Sequence, residues 1–418
     1  MPAMRKLTPD SRALVIVLAL FTSIGALATD TYLPSLPAMQ QVFNASAAEI
    51  QLTLSAFMLG LAISQLFYGP MSDRFGRKPV MFGGLAIFVA ASFACTIARS
   101  VEMLIVLRFF QAVGASAGPV LARAIARDLH GGDKAARMLS AMGSVMGLVP
   151  AIAPIIGGYL EIWWGWHASF MFVGLIGIIA IAALVLKIAE SLHSPDPDAL
   201  QPFQLVTNFR SLLRHRVYLG YMACGCFSFA GLFAFISGSS FVLQGVFGVA
   251  AENFGFYFAL VCLGYVGGTR IATQLTERVG LARIVWFGAW LAAASGIAML
   301  ALALGGIDRP MAVVGPHMFF MASVGMVLPQ SIAGALTPFP HMAGAASSLF
   351  GFVQMSCAAL IGALVGRSFD GTQLPLTLII CACGLLTLAV AAPATQKGRR
   401  TSTPETEAAH AAPGIAGD

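Results

Sequence analysis

Residues 69–78 read Gly69-Pro70-Met71-Ser72-Asp73-Arg74-Phe75-Gly76-Arg77-Lys78. The segment carries one acid and three bases, and it lies between two apolar stretches that are each long enough to cross a bilayer. A solvated surface loop could hold such charges by chance, but the order GxxxDRxGRK between two apolar stretches is much rarer. The pattern indicates a short charged turn that joins the second and third of a series of membrane spans.

The composition of the whole chain agrees with a membrane protein. Its 418 residues are 58% hydrophobic and 10% charged, whereas a soluble domain carries about 25% charged residues. Twenty-four bases and eighteen acids cannot cover the surface of a water-soluble protein of this size. Topology explains the net charge of +6, so we expect the lipid bilayer as partner and no nucleic acid.

Twelve apolar stretches have the length of a span, for which about 20 mostly apolar residues are needed. Only helices and closed barrels satisfy the backbone in lipid, and these stretches are too long and continuous for barrel strands. The sequence therefore predicts an all-α polytopic membrane protein. The predicted transmembrane helices are at about 13–35, 49–71, 79–99, 101–125, 137–160, 166–188, 217–243, 253–276, 281–304, 311–336, 343–366 and 374–394.

The basic residues predict the orientation of these helices. With the N-terminus inside, the inner loops and tails hold eighteen Lys and Arg, the outer loops hold three, and three lie within spans. This asymmetry follows the positive-inside rule. We expect a multi-pass protein of the bacterial inner membrane with both termini in the cytoplasm.

A single long internal linker divides the spans six and six. We predict an N-terminal six-helix bundle at 1–188, a cytoplasmic linker at 189–216, a C-terminal six-helix bundle at 217–394 and a disordered cytoplasmic tail at 395–418. Within the linker, Phe203, Val206, Phe209 and Leu213 share a helical face beside several arginines, which predicts an interfacial amphipathic helix.

The sequences of the two bundles contain a weak internal repeat, which we call the echo. Residues 277–280, Glu-Arg-Val-Gly, follow span eight as the charged turn follows span two. The echo predicts pseudo-symmetric halves, and parallel halves of this kind place a substrate site near the membrane midplane at their interface.

The charged turn resembles the motif after the second helix of the major facilitator superfamily, the largest class of secondary transporters. The resemblance implies a latch on the cytoplasmic side that holds the outward-facing state. Asp73 would face the N-terminus of span eleven, where the helix dipole favours an anion, and Arg77 would reach Asp128 after span four. A simple positive-inside anchor would explain the bases, but not the acid or the glycines. The predicted latch comprises Gly69, Asp73, Arg74, Gly76, Arg77, Lys78 and Asp128.

Span four contains Arg108, followed by Gln111 and Gly114. An arginine inside a membrane costs several kcal/mol unless it is paired or wet. The run resembles the superfamily's span-four motif, whose arginine is tied to proton coupling, although Ala112 replaces the usual glycine after the glutamine. An arginine that reaches to the outer surface would be the alternative.

Span five has the order G-x-x-P-x-x-x-P-x-x-G-G. Its prolines interrupt the helical hydrogen bonds, and its first glycines predict a small face for close packing. The order resembles the antiporter motif of the drug-exporting branch of the superfamily and favours export over uptake. The predicted antiporter motif comprises Gly143, Gly147, Pro150, Pro154, Gly157 and Gly158.

Span one ends with Asp30, the only acid in that span, followed by Thr31-Tyr32-Leu33-Pro34. Burial disfavours the charged form of a carboxyl, which suits a group that alternately binds a proton and a substrate. Position alone also fits an aspartate that caps the outer end of the helix. The run resembles the start of the bicyclomycin/chloramphenicol-resistance (Bcr/CflA) exporters, in which this aspartate belongs to the substrate and proton pocket.

Other side chains in the spans are candidates for an adaptable apolar pocket, although packing between helices is the more common role for each of them. These candidates are Phe57, Gln65, Gln111, Phe227, Phe233 and Gln354. The cysteines lack zinc-ligand spacing. No HExxH, Gly-x-Ser-x-Gly or phosphate-binding glycine-rich motif is present, so we expect neither an enzyme nor an ATP-driven pump.

The sequence thus predicts proton-coupled antiport of drugs or small amphipathic metabolites by alternating access. The site would comprise Asp30, Arg108, Gln111, Tyr32 and Gln354, with Asp30 and Arg108 sharing one electrostatic site. We expect a monomer that uses the proton gradient and no cofactor or metal. A proton-coupled uptake symporter and a dedicated metabolite exporter of the same fold stay open as alternatives.

Overall fold

The computed structural model describes residues 7–8, 11–130, 132–192, 194–197, 202–339 and 342–401. These residues form fourteen α-helices and no strand. The helices of the first half and the linker are α1 (Arg12–Asp30), α2 (Leu36–Val42), α3 (Ala47–Phe75), α4 (Arg77–Thr96), α5 (Val101–Leu129), α6 (Gly132–Trp164), α7 (His167–Lys187) and α8 (Pro202–Leu212). Those of the second half are α9 (Arg216–Ser240), α10 (Ala251–Val279), α11 (Leu281–Leu304), α12 (Pro310–Leu336), α13 (Ala343–Ser368) and α14 (Leu374–Thr401).

Within this described part of the chain, twelve spans are long and apolar enough to cross a membrane. The first span runs through α1 and α2 as Arg12–Val42, and α8 is too short to cross. The predicted all-α polytopic fold with twelve transmembrane helices is therefore confirmed.

Successive spans run in opposite directions, so the bundle has two ends. We call the end at which α1 begins, and at which the segment between α7 and α9 runs, the linker end. The opposite end, which carries α2 and the turn between α9 and α10, is the far end.

Glycines allow neighbouring helices of one half to approach closely. A β-carbon at Gly60 would clash with the backbone oxygen of Phe109, and one at Gly114 would clash with the backbone of Phe88. Small residues at helix contacts are typical of membrane bundles, because packing rather than hydrophobicity drives helix association in lipid.

The charged turn and its echo have nearly the same backbone. Gly76 ends α3 and precedes α4 with φ 97° and ψ 150°, and Gly280 stands between α10 and α11 with φ 84° and ψ 153°. Each glycine donates its N–H to the carbonyl four residues earlier, Ser72 or Thr276. This backbone region is open to glycine almost alone, so the weak sequence echo corresponds to a repeated structural turn.

The linker contains the predicted helix, α8, but its contacts differ in part from the prediction. Leu212 is fully buried and Phe209 packs beside it against the second half, whereas Leu213 is exposed. Side chains of residues 202–206 lie outside those described. At the C-terminus, α14 continues past the predicted start of the tail to Thr401, and residues 402–418 lie outside the described residues.

Candidate functional site

A cavity of about 530 Å³ lies between the two halves. It is lined by α1, α3, α5 and α6 of the first half and by α9, α10, α12 and α13 of the second. Its wall is largely apolar and includes the aromatic side chains Phe229, Phe233, Phe235, Phe258, Tyr265 and Phe350. This volume and composition are typical of sites that bind one drug-sized molecule.

The halves close the cavity at the far end through neutral hydrogen bonds. The Ser240 hydroxyl donates to the backbone oxygen of Leu33 at 2.6 Å, and the Gln244 amide donates to that of Pro34 at 3.1 Å. Ser237 donates to the side-chain oxygen of Gln51 at 2.9 Å. Gln244 lies in a π-helical turn after α9, an irregularity that is frequent at functional positions.

The cavity continues toward the linker end. Its wall includes Ser347, four residues after the linker-end start of α13 and so about 6 Å along that helix. The described conformation is therefore closed at the far end and extends toward the linker end.

Asp30 is the last residue of α1 and forms part of the cavity wall. It is 3% exposed, and within the described residues its carboxyl has no hydrogen-bond or ion-pair partner. Burial without a cation disfavours the charged form of a carboxyl. The geometry gives the cavity one acid that is suited to carrying a proton.

Arg108 lies in a closed aromatic cluster behind the wall. The side chain is fully buried, and its guanidinium carbon lies 4.3 Å from the ring centroid of Tyr32 and 4.2 Å from that of Phe57. One guanidinium nitrogen donates to the backbone oxygen of Ala28 at 3.0 Å and to the Gln111 side-chain oxygen at 2.6 Å. Ring faces attract a desolvated cation by about 2 kcal/mol, so this cluster holds the charge without an acid.

The predicted shared site of Asp30 and Arg108 is not formed as an ion pair. Of the five predicted site residues, Asp30 and Gln354 line the cavity. Arg108, Gln111 and Tyr32 form the closed cluster instead, because Ala28 and two ring faces take the guanidinium. The link between cluster and wall is the Ala28 carbonyl, two residues before the aspartate.

The predicted antiporter motif divides into two parts within α6. Gly143, Gly147 and Pro150 line the cavity, and a β-carbon at either glycine would meet nothing within 4 Å. The prediction that these two glycines form a close-packed face is therefore wrong, since their missing side chains leave cavity space.

The other part of the motif does pack closely. A β-carbon at Gly157 would clash with the backbone of Thr31, and one at Gly158 with the backbone of Ala251 in the second half. The helix continues through both Pro150 and Pro154. Gly158 thus packs against the second half at the far end, whereas Gly157 packs within the first half.

Arg77 is the centre of the predicted latch. Its Nε donates to Asp128 at 2.9 Å, and one terminal nitrogen donates to Asp73 at 2.5 Å and to the Ser72 hydroxyl at 2.6 Å. The side chain of Arg77 is 11% exposed. The predicted contact between Arg77 and Asp128 is present, and it joins α3, α4 and α5 at the linker end.

Asp73 does not make the predicted contact with span eleven in this conformation. Its carboxylate accepts from Arg77 of the same half, and its side chain is 45% exposed. Arg74 is exposed beside the ring of Phe75, and a β-carbon at Gly69 would meet nothing within 4 Å. The contacts of α3 with α13 lie further toward the far end, at Gln65 with Gly351 and at Gln51 with Gly366.

The linker completes the latch through Glu190, which the sequence analysis missed. Its carboxylate accepts from the backbone N–H groups of Arg77 and Lys78 at 3.0 and 2.9 Å, so it caps α4. The Lys78 ammonium donates to the backbone oxygens of Val185 and Ile188 at the end of α7. The available signals were an acid just after α7 and a glycine, Gly76, just before α4.

The remaining pocket candidates do not all lie at the cavity. Gln65 and Phe233 line the cavity, Phe57 packs on Arg108, and Phe227 is not among the lining residues. Arg123, one of the three basic residues that lie within spans, also lines the cavity. Among the residues that the structure describes, no group of three or more His, Cys, Asp or Glu is placed to hold a metal ion.

Comparison with known proteins identifies the family of this bundle. Residues 18–363 match the family model described as Major Facilitator Superfamily. The chain belongs to the Major Facilitator Superfamily. Its members are transporters and not enzymes, and they generally need no cofactor.

Relatives within the superfamily cover most of the chain. A bicyclomycin resistance protein homolog of Haemophilus influenzae is 31% identical over 90% of this chain and 94% of its own length. A chloramphenicol resistance protein of Pseudomonas aeruginosa is 30% identical over 85% of each chain. Multidrug resistance protein D of Escherichia coli is 27% identical over 89% of this chain and 93% of its own. The resemblance to the bicyclomycin/chloramphenicol-resistance branch is thereby confirmed.

Solved structures of the superfamily share the fold. An inward-facing bacterial homolog of the human lysosomal transporter Spinster superposes with a TM-score of 0.70 at 16% identity, covering 93% of this chain and 97% of its own. A peptide transporter POT in complex with sulfate gives 0.76 at 13% identity, covering 93% and 94%. Membership of the superfamily and the twelve apolar helices identify the chain as a multi-pass membrane transporter for small molecules.

Proposed function

We propose that this transporter exports drugs or small amphipathic metabolites from the cytoplasm in exchange for protons. The observation that carries the proposal is the large apolar cavity with the buried carboxyl of Asp30 in its wall. The names of the relatives, which refer to resistance to bicyclomycin, chloramphenicol and several drugs, support the direction of transport.

The orientation in the proposal follows from the basic residues. They are concentrated in the loops and tails of the linker end, and the positive-inside rule places that end in the cytoplasm of the bacterial inner membrane. The cavity would then be accessible from the cytoplasm, where an exporter must bind its substrate. We propose that 1–188 and 217–394 move as two bundles of one monomer.

Asp30 is proposed to couple the proton to the substrate. A proton from outside neutralises the carboxyl and releases the substrate, and proton loss to the cytoplasm restores the binding form. Arg108 is a positioning residue in this scheme, because its hydrogen bond to Ala28 fixes the end of α1 that carries the carboxyl.

The Arg77 cluster is proposed to stabilise the outward-facing state, with Asp73 moving from Arg77 to the N-terminus of α13 when the linker end closes. Helix N-termini attract anions, and the partly exposed Asp73 carboxylate can exchange partners. In double electron–electron resonance distances across the linker end, Asp73→Asn should shift the population toward the state described here. An unchanged population would contradict the latch.

The function is tested by drug accumulation in efflux-deficient cells that express the chain, with and without an uncoupler. The panel includes chloramphenicol and bicyclomycin. We expect lower accumulation than in cells without the transporter, and we expect the uncoupler to abolish the difference. Unchanged accumulation of every compound, with the protein shown in the membrane, would contradict drug export.

Coupling is tested in proteoliposomes with an imposed pH gradient. Asp30→Asn should abolish gradient-driven transport and also impair substrate exchange at equal pH, because its neutral side chain corresponds to the protonated form that releases the substrate. The matched control is Asp370→Asn, an acid in the far-end loop whose partner is Thr372. Gradient-driven transport by Asp30→Asn at the wild-type rate would rule out the coupling role.

A further inference from the structure

The cavity wall contains two charged side chains, Asp30 and Arg123. Arg123 lies on α5, one helical turn beyond Pro119, which also lines the cavity. Its side chain is exposed. Within the described residues the guanidinium has no hydrogen-bond or ion-pair partner, and the nearby charge of Arg127 has the same sign. The cavity thus contains a cation that the protein itself does not neutralise.

An unpaired arginine within a membrane span is costly unless water or an anion solvates it. Arg108 is an arginine whose charge the protein itself accommodates, because its guanidinium is enclosed between aromatic rings. Arg123 has no such enclosure and faces the cavity. Its surroundings therefore favour an anionic group that arrives with a ligand.

The position of Arg123 along the axis of the bundle follows from one close contact between helices. Gly118 of α5 lies directly against the backbone of Phe21 in α1. Arg123 is five residues from this contact toward the linker end, and Asp30 is nine residues from it toward the far end. At 1.5 Å per residue, the two backbone positions are about 21 Å apart along the bundle.

We infer that Arg123 is a specificity-determining residue that binds the anionic group of an amphipathic substrate, a carboxylate or an acid of similar size. The apolar body of the substrate would lie deeper, against Phe229, Phe233 and Phe258. The carboxyl of Asp30, at the opposite end of the cavity, would stay clear of the bound anion. The inference rests on the proposed export function and adds the chemical class of the substrate.

Arg127 provides a matched control. It lies one turn closer to the end of α5, donates to the backbone oxygen of Arg123 at 3.4 Å and is exposed, but it is not among the lining residues. If Arg123 were only a further membrane anchor, both arginines would respond alike to substitution.

The experiment compares 2-naphthoate with its neutral analogue 2-naphthamide. Calorimetry measures their binding to the purified full-length chain in phosphatidylcholine nanodiscs at neutral pH. The wild type should bind the carboxylate more tightly than the amide. Arg123→Gln should weaken carboxylate binding about tenfold or more, as expected for a lost charge-assisted hydrogen bond, and leave the amide unchanged.

Two further variants make the result specific. Arg123→Lys should retain most of the preference for the carboxylate, and Arg127→Gln should retain all of it. Equal binding of carboxylate and amide by the wild type, or equal loss in both glutamine variants, would overturn the inference. Loss of amide binding in Arg123→Gln as well would overturn it too, because the role would then be structural.

Lipid headgroups are a second source of anions, so the titration is repeated with phosphatidylglycerol in the nanodiscs. Retention of the carboxylate preference supports a substrate site, whereas its disappearance assigns Arg123 to lipid binding and overturns the inference.

Proteoliposome transport of chloramphenicol separates the two proposals. Export by Arg123→Gln without any anion preference in the wild type would overturn this inference alone, while absence of gradient-driven export in the wild type would contradict the proposed function.

Discussion

The turns at Gly76 and Gly280 have nearly the same backbone but different surroundings. In the first half, a cation at the next position, Arg77, joins acids at the ends of α3 and α5. In the second half that position is Leu281, and Glu277 and Arg278 are exposed. The second half links its corresponding helices by a neutral bond, from Gln330 of α12 to the Thr276 hydroxyl at 3.1 Å.

The comparison shows which part of the repeated turn both halves share and which part is specific to the first half. The glycine turn reverses the chain between antiparallel helices and is needed in both halves. Among the described residues, a charged cluster of this kind occurs only at the first turn. It also holds the linker through Glu190 and through the Asp196 N–H, which donates to the Asp73 backbone oxygen at 3.0 Å. The first turn therefore couples helix packing to the linker between the halves.

The largest effect should come from removing the cation. Arg77→Ala leaves Asp73 and Asp128 without their shared cation, although the Ser191 hydroxyl still donates to Asp128. We expect the substitution to destabilise the protein by about 2–3 kcal/mol, below the 3–5 kcal/mol of a fully buried pair. Arg278→Ala, on the exposed second turn, should cost about 0.5 kcal/mol or less. Thermal unfolding in detergent compares the two, and equal shifts would show that the charged cluster adds no stability.

The next effect concerns the turn itself. A residue with a β-carbon in this backbone region costs about 1–3 kcal/mol, so Gly76→Ala and Gly280→Ala should both destabilise. Gly76→Ala should cost more, because its β-carbon would lie 2.9 Å from the Glu190 carboxylate, whereas Gly280 has free space. In a Glu190→Ala background the two costs should converge, and a persistent gap would assign the excess to something other than Glu190.

A smaller effect is expected at the cap that the linker supplies. Glu190→Gln weakens the bonds to two backbone N–H groups at the start of α4, which corresponds to about 1 kcal/mol for a capping group. Hydrogen exchange should become faster at the amides of Arg77 and Lys78. Glu277→Gln should leave exchange at the second turn unchanged, and similar acceleration at both turns would contradict a specific cap.

The smallest effect concerns Lys78, whose counterpart is Ala282. Lys78→Ala removes the bonds to the last carbonyls of α7, and we expect a loss of about 0.5 kcal/mol, typical of a cation at a helix C-terminus. Exchange should increase at the α7–linker junction alone. A loss that equals that of Arg77→Ala would mean that the lysine, not the arginine, dominates the turn.

The sequence predicted the fold well because hydropathy, glycine position and charge act locally. The twelve spans and the repeated turn follow from such signals, whereas the contact of Arg77 with Asp128 was implied by the resemblance to the superfamily. The site was harder to predict, because the sequence of a helical face does not show whether that face packs against another helix or lines a cavity. Gly143 and Gly147 look like packing residues but line open space, and Arg108 and Arg123 are both span arginines with opposite surroundings.

The chemistry of the two ends predicts different responses to salt. The far-end closure consists of neutral hydrogen bonds from Ser237, Ser240 and Gln244, whereas the linker-end cluster depends on a partly exposed charge pair. The Debye length falls from about 10 Å at 0.1 M to about 3 Å at 1 M ionic strength. Rising ionic strength should therefore weaken the charge pair at the linker end and leave the hydrogen bonds at the far end intact.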